Sequence, residues 1–143
     1  MNMKPFLRNS LAALAGLVVG GVLNMGIIMI SGSVILPPAG ADVTTMEGLQ
    51  ESMHLFQPKH FLMPFLAHAL GTLVGAFLTA YFVVSEPQKW ALFIGAFFLL
   101  GGVSNVVVLP SPLWFNIVDI VGAYIPMALL GAMLVSKIKS KEL

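Results

Sequence analysis

The segment from Phe61 to Val84 constrains this chain more than any other, because it is mostly apolar and contains no lysine, arginine, aspartate or glutamate. An α-helix needs about 20 such residues to cross a hydrocarbon layer of ~30 Å. The segment therefore predicts a transmembrane helix. One titratable residue, His68, lies well inside it.

Small and polar residues share one face of this predicted helix. Lipid tails provide no hydrophobic drive between helices, so a face of small residues marks the place where helix backbones approach each other. We therefore expect this face to contact protein rather than lipid. The residues recur at helical spacing: His68, Gly71, Thr72, Gly75 and Thr79.

The composition places the whole chain in the membrane class. Of its 143 residues, 58% are hydrophobic and 9% are charged, whereas soluble domains have ~45–50% and ~25%. Seven basic and six acidic residues give a net charge of +1, which excludes nucleic acid as an expected partner. No cysteine is present, which excludes disulfides and thiolate chemistry.

Three further apolar runs predict three further spans, so the expected fold class is an all-α integral membrane four-helix bundle that forms one domain over residues 1–143. Met1–Asn9 is interpreted as a basic leader and Ser136–Leu143 as a polar tail. A cleaved signal peptide is the alternative for the first run, although that run is much longer than an apolar core of ~7–15 residues. The predicted spans are residues 10–35, 60–84, 90–109 and 113–135, with Pro126 interrupting the last.

The polar stretch at residues 44–57 predicts a short amphipathic helix in the first outer loop. Thr44 and Glu47 have the spacing of a capping box. The helix would lie at the membrane surface or across the end of the bundle, and an irregular loop is the alternative. Its apolar face would consist of Met46, Leu49, Met53 and Phe56.

The distribution of basic residues predicts the orientation. With both termini in the cytoplasm, only Lys59 of the seven lysines and arginines lies outside, in agreement with the positive-inside rule. We therefore expect a multi-pass protein of a bacterial cytoplasmic membrane with cytoplasmic N and C termini. Its partners would be the lipid bilayer and either further copies of the chain or another membrane protein.

Two similar phrases, Gly20–Asn24 and Gly101–Asn105, indicate an internal repeat. The repeat unit would be a helical hairpin, so the bundle would consist of two tandem hairpins. Glycine-rich apolar helices also match each other by chance, which is the alternative. The extra segment at residues 44–57 is present in the first hairpin alone.

Four polar side chains within the spans form the candidate functional cluster: Asn24, His68, Asn105 and Asp119. At ~1.5 Å per residue they lie roughly 16, 12, 6 and 9 Å below the outer surface. An intramembrane carboxylate costs ~2.5–3.5 kcal/mol at mid-helix, so Asp119 should have a partner, and His68 is the candidate. Their contact would be an ion pair or a neutral hydrogen bond, depending on pH. The alternative is a clasp that stabilises the bundle and has no other role.

No cofactor, metal ion or catalytic residue is predicted, and we do not expect an enzyme. His54, His60 and His68 lack the spacing of a metal motif. No serine lies in a nucleophile-elbow motif. These observations leave binding, conduction and structural roles.

Several phrases resemble those of uncharacterised small four-span bacterial membrane proteins, and the likeness implies the architecture without an activity. The expected function is a structural, accessory or regulatory membrane component. The alternative is a small transporter or an ion or proton conductor that uses the polar cluster. The phrases are Asn24–Gly26, Leu36–Pro38, Pro58–Phe61, Ala67–Thr72 and Leu109–Pro112.

Overall fold

The computed structural model describes residues 3–141, and within that range the regular structure is helical. Four stretches are long and apolar enough to cross a membrane: Lys4–Val34, Pro58–Phe82, Pro87–Val108 and Leu113–Lys139. They pack as a bundle, which confirms the predicted all-α four-helix architecture. The helices are α1 (Met3–Val34), α2 (Met46–Ser52), α3 (Leu62–Phe82), α4 (Pro87–Val108), α5 (Leu113–Gly122) and α6 (Ile125–Lys139).

Helix α1 begins at Met3, so the part of the basic leader that the structure describes is helical. Asn9, on this first part of α1, is buried. Its Oδ1 accepts a hydrogen bond of 2.9 Å from the Val84 amide, and its Nδ2 donates one of 3.2 Å to Ser85 Oγ. These bonds hold the leader against the turn between α3 and α4.

Helix α6 continues into the predicted polar tail. Lys137 and Lys139 lie in its last turn, where positive charge favours the helix C-terminus. Lys139 Nζ also donates a hydrogen bond of 3.0 Å to the Tyr81 carbonyl at the end of α3. The tail is therefore part of the bundle as far as Lys139.

The fourth span is broken, as predicted from Pro126, into α5 and α6. Pro126 lies in the first turn of α6, where its missing N–H costs no hydrogen bond. Its ring would clash with the carbonyl four residues earlier in a continuous helix. The chain therefore leaves helical geometry at Tyr124, whose φ is −116° and ψ is −79°.

Helix α3 is central and packs against α1, α4 and α6, whereas α1 contacts α4 only slightly. The predicted small-residue face of α3 makes the crossing with α1. A Cβ added to Gly16 would lie 2.4 Å from the Gly75 carbonyl oxygen, and one added to Gly20 would lie 2.5 Å from that of Gly71. The two backbones therefore touch, as the sequence predicts.

We call the part of the bundle near the chain termini the terminal half, and it is closely packed. Ala76, Ile94 and Ala128 are fully buried in its core. Gly131 of α6 lies against the α3 backbone, since a Cβ there would meet the Phe77 nitrogen at 2.9 Å. Small side chains on facing helices leave little space in this half.

We call the opposite part the α2 half, because α2 lies across that end of the bundle. Met53, just after α2, is buried against Phe61 and Phe115, with Leu49 and Phe56 packed around them. Gln50 Nε2 donates a hydrogen bond of 2.9 Å to the Val108 carbonyl at the end of α4. Of the two predicted placements, the segment adopts the one across the bundle.

The start of α2 differs from the prediction. Thr45, not Thr44, is the N-cap, and its hydroxyl accepts a hydrogen bond of 2.9 Å from the Gly48 amide. Thr44 instead donates to Asp42 Oδ1 through its amide and its hydroxyl, at 2.8 and 2.7 Å. The predicted Thr44–Glu47 capping box was therefore wrong by one residue, because Asp42 engages Thr44.

The two repeat phrases are used differently in the fold. In the first phrase the first glycine, Gly20, contacts α3. In the second phrase it is the second glycine, Gly102, that makes a contact, with the Tyr124 ring. A Cβ added to Gly21 or to Gly101 would meet no atom within 4 Å among the described residues, apart from the backbone of its own helix. The similar sequences thus make non-equivalent helix contacts.

Candidate functional site

A cavity of about 620 Å³ lies in the α2 half, and the four predicted polar residues all line it. Asn24 comes from α1, His68 from α3, Asn105 from α4 and Asp119 from α5. A smaller adjoining cavity of about 270 Å³ shares Asn24, His68 and Asn105 with it. The structure therefore brings the predicted cluster together around one space.

Asp119 and His68 make the contact expected between the second and fourth spans. His68 Nδ1 lies 2.8 Å from Asp119 Oδ1 and 3.0 Å from Oδ2. The Asp119 residue is 3% exposed, so its carboxylate is shielded from lipid and bonded within the protein, as an intramembrane acid requires.

Tyr124 is a third member of this group, and sequence reasoning missed it. Its hydroxyl donates a hydrogen bond of 2.9 Å to Asp119 Oδ2. Its ring stacks on the His68 imidazole at a centroid distance of 5.7 Å. Residues five apart on a regular helix point roughly 140° away from each other. The helix break before Pro126 lets Tyr124 turn toward Asp119. Pro126 was the one sequence signal for this contact.

Gly102 makes room for the Tyr124 ring. A Cβ at this position would lie 2.3 Å from the Tyr124 hydroxyl oxygen. Any larger residue on that face of α4 would displace the tyrosine from Asp119. Gly102, which the sequence placed only in a repeat phrase, is therefore a determinant of the site.

Two buried polar atoms beside the cavities have no hydrogen-bond partner among the described residues: Asn24 Oδ1 and Thr72 Oγ1. Thr72 is 1% exposed and lines the smaller cavity one helical turn from His68. Leaving such a group unsatisfied costs about 1–3 kcal/mol. The sequence placed Thr72 on the protein-facing stripe but did not include it in the cluster.

On the side between α1 and α4, exposed residues line the cavities. Met25 of α1 and Asn105 of α4 line both cavities and are exposed. Met25 lies nine residues before the end of α1, roughly 14 Å along the helix. Met25 and Asn105 therefore lie within the predicted spans. Val43 and Met46, which also line the larger cavity and are exposed, lie at the α2 end of the bundle.

Phe98 separates the cavities from the terminal half. Its ring lines the smaller cavity and lies 3.1 Å from the position of a Cβ on Gly20 and 3.3 Å from that of one on Gly75. It fills the space between α1, α3 and α4 at this level. Below it lies the alanine-rich core, so the cavity is blind.

Of the other two histidines, His60 lines the larger cavity and His54 lines neither cavity. His54 Nδ1 contacts the Glu51 carbonyl, and His60 Nδ1 accepts from the Gln57 amide, so both stabilise local turns. Within the described part of the chain, no group of three acidic or histidine side chains is arranged to bind a metal ion.

Comparison of the chain with protein-family models, with curated proteins and with solved structures gives no match in any of the three. The resemblance to four-span bacterial proteins therefore identifies no family. The class that the structure supports is a small multi-pass membrane protein whose four apolar helices surround a polar-ended cavity.

Proposed function

We propose that this protein is a small carrier-type transporter that takes up a small molecule in the cavity of the α2 half. The observation that carries the proposal is the blind cavity with His68, Asp119, Asn24 and Asn105 in its wall. A purely structural clasp would be expected in a dry, filled core. Here the polar residues border about 620 Å³ of space, within the range of about 300–1,000 Å³ typical of ligand sites.

The difference between the two halves supports a carrier rather than a channel. A conductor needs a continuous polar path, and the terminal half offers tightly packed alanines and the Phe98 ring instead. A carrier open toward one side is closed on the other in each of its states. The close packing of the terminal half fits the closed side of such a state.

Accessibility of single cysteines tests this proposal, because the chain has no cysteine of its own. The protein would be placed in nanodiscs and treated with a charged, water-soluble methanethiosulfonate. Ile94→Cys introduces a smaller side chain at a fully buried position of the terminal half. A carrier that also opens toward the terminal side should expose this cysteine, so we expect a slow but complete reaction.

Phe97→Cys is the matched control on the same helix, since Phe97 is 52% exposed on the outer surface of the bundle. Lipid covers that surface in a nanodisc, so the charged reagent should not react there. Complete protection of Ile94→Cys in a folded protein would overturn the carrier proposal. Comparison with the rate of global unfolding shows whether the reaction occurs in the native state.

The second candidate is a structural or accessory component, the function first expected from the sequence. Asp119 favours it, because His68 and Tyr124 together supply its hydrogen bonds and no ligand is needed to satisfy it. Under this hypothesis the His68–Asp119–Tyr124 group joins α3 to the broken fourth span. Protection of Ile94→Cys would favour this candidate.

We further infer a bacterial cytoplasmic membrane, with the termini in the cytoplasm and α2 outside. The support is the distribution of lysine and arginine, of which only Lys59 lies in the α2 half. Ser140→Cys and Gly40→Cys should react with a membrane-impermeant thiol reagent from opposite sides of the membrane. Gly40→Cys should react in spheroplasts, and Ser140→Cys should react in inverted membrane vesicles. Reaction of both from one side would contradict this topology.

A further inference from the structure

The larger cavity and the smaller one that adjoins it share a polar end, where two buried atoms lack a hydrogen-bond partner among the described residues. The unpartnered atoms at this end are Asn24 Oδ1 and Thr72 Oγ1. Asn24 lines both adjoining cavities, whereas Thr72 lines the smaller one alone and is almost completely buried. Away from this end the walls are mainly apolar, with Ile28 and Met29 among them. The polar exceptions are Ser31, His60, Ser111 and Asn116. A molecule that fits both parts must itself be amphipathic.

We propose that the cavity binds a membrane-dissolved amphiphile with a neutral hydroxyl head group and a single apolar chain, which reaches it sideways between α1 and α4. This inference rests on the proposed function, because it names the class of substrate for the same site. It depends on three observations: the chemistry of the unpartnered atoms, the charge of the lining and the direction of the opening.

The unpartnered atoms favour a hydroxyl. The amide oxygen of Asn24 is an acceptor and needs a donor, which excludes a bare carboxylate as its partner. The Thr72 hydroxyl both donates and accepts. A ligand hydroxyl can do the same, so its chemistry matches the unmet needs of both atoms.

The charge of the lining favours a neutral head group. Among the residues that the structure describes, Asp119 is the only acidic residue in the lining of either cavity, and lysine and arginine do not line them. The basic side chains of the lining are His60 and His68. Both Asp119 oxygens already contact donors, His68 Nδ1 and the Tyr124 hydroxyl. A ligand ammonium would therefore have to compete with bonds that the protein has made, and a ligand anion would find no lysine or arginine in the described lining.

The direction of the opening favours a molecule from the bilayer. Met25 and Asn105 are exposed lining residues within the spans, whereas α2 lies over the end of the bundle. A soluble solute would have to pass the apolar residues around α2, while a bilayer amphiphile meets the opening directly. The volume of about 620 Å³ suits a drug-sized molecule with one chain.

Photolabelling with a defined probe tests the inference. The full-length protein in phosphatidylcholine nanodiscs would be irradiated with hexadecanol that carries a diazirine in its chain. Diazirine-labelled hexadecane, which has the chain but no head group, is the parallel probe. We expect hexadecanol adducts on the cavity-lining residues of α1 and α4, and we expect excess unlabelled hexadecanol to compete with them.

Two glycines provide a matched pair of blocking variants. Gly101 lines the smaller cavity and has free space around its Cβ position, so Gly101→Phe should obstruct the opening without a clash. Gly21 also has free space but lines neither cavity, so Gly21→Phe is the control. We expect Gly101→Phe to lower cavity labelling at least tenfold and Gly21→Phe to leave it unchanged. If Gly101→Phe does not fold, Met25→Trp narrows the same opening from α1.

Thr72→Val tests the head group, because it removes the hydroxyl and keeps the shape. Loss of one buried hydrogen bond should weaken hexadecanol labelling roughly fivefold, while hexadecane labelling stays the same. Adducts confined to the outer surface, or equal labelling in Gly101→Phe and Gly21→Phe, would overturn the inference. The reaction of Ile94→Cys does not depend on the probe, so it separates this failure from failure of the carrier proposal.

Discussion

The two halves of the bundle are built from the same four spans but pack in opposite ways. In the terminal half, glycine and alanine on facing helices bring the backbones into contact and leave little space. In the α2 half, polar side chains and large aromatic rings hold the helices apart around a cavity. The comparison teaches that residue size at the helix crossings decides where a small membrane protein is solid and where it can admit a ligand.

The largest effect is expected from breaking the solid half. Gly16→Val would add a side chain whose Cβ alone would lie 2.0 Å from Thr79 Oγ1 and 2.4 Å from the Gly75 carbonyl oxygen. We expect a loss of about 3 kcal/mol in the free energy of unfolding, because backbone atoms cannot yield as a flexible side chain can. Reversible unfolding in mixed micelles measures it. Gly21→Val is the control, and equal losses for both variants would contradict this account of the crossing.

The next effect concerns the polar group that borders the cavity. Asp119→Leu leaves His68 and Tyr124 without their acceptor, so we expect a loss of about 2 kcal/mol in unfolding free energy. Asp119→Asn keeps an acceptor and should lose about 1 kcal/mol. The same unfolding assay measures both variants.

A double-mutant cycle on His68 and Asp119 then isolates their coupling. The single variants His68→Leu and Asp119→Leu are compared with the double variant. A coupling energy indistinguishable from zero would mean that the 2.8 Å contact contributes nothing to stability.

A smaller effect is expected at the cover of the cavity. Leu49 packs against the cluster of Met53, Phe61 and Phe115, so Leu49→Asp should weaken the docking of α2 by about 1 kcal/mol. Hydrogen exchange across residues 46–56 should accelerate roughly fivefold, while exchange in α3 stays the same. Glu47→Gln, at an exposed position of α2, is the control. Unchanged exchange in Leu49→Asp would show that α2 does not depend on this contact.

The smallest effect concerns the turn that leads into α2. The hydroxyl and amide of Thr44 donate to the Asp42 carboxylate and lower its pKa below the ordinary value of 3.8. A lowered pKa means that the charged form stabilises the folded turn. This stabilisation is present above pH 3.8 and is lost as the pH falls through the lowered value.

Titration of the Asp42 carboxyl and of the Thr44 amide by NMR measures this effect. Both signals should change together below pH 3.8. Thr44→Val removes the larger of the two interactions, so the Asp42 pKa should return toward 3.8. An Asp42 pKa that does not respond to Thr44→Val would contradict the assignment of its cause.

Much of the bundle was predictable because membrane insertion imposes strong local rules. An uncharged apolar run must be helical in lipid, since its backbone hydrogen bonds have no other partner. The small-residue face of α3 indicated a contact with another helix, because close approach requires small residues at one helical face. The helical rise per residue placed Asn24, His68, Asn105 and Asp119 in the outer half of the bilayer.

Sequence reasoning failed where the outcome depended on a local competition. Thr44 and Thr45 are both suitable helix caps, and the choice between them follows from the position of Asp42 across the turn. The hydrogen bonds of Asn9 to Val84 and Ser85 were also not predicted, because they join residues far apart in the chain. Neither interaction has a periodic signal in the sequence.

The sequence by itself determined the four helices, their crossing at small residues and the need of an intramembrane carboxylate for a partner, since each follows from local composition and the cost of polarity in lipid. Only the tertiary structure decided that Tyr124 joins Asp119, that Gly102 admits it and that a cavity remains beside Thr72. The bend before Pro126 redirects one side chain across the bundle. Contacts between helices depend on such directions, and spacing along a single helix does not specify them.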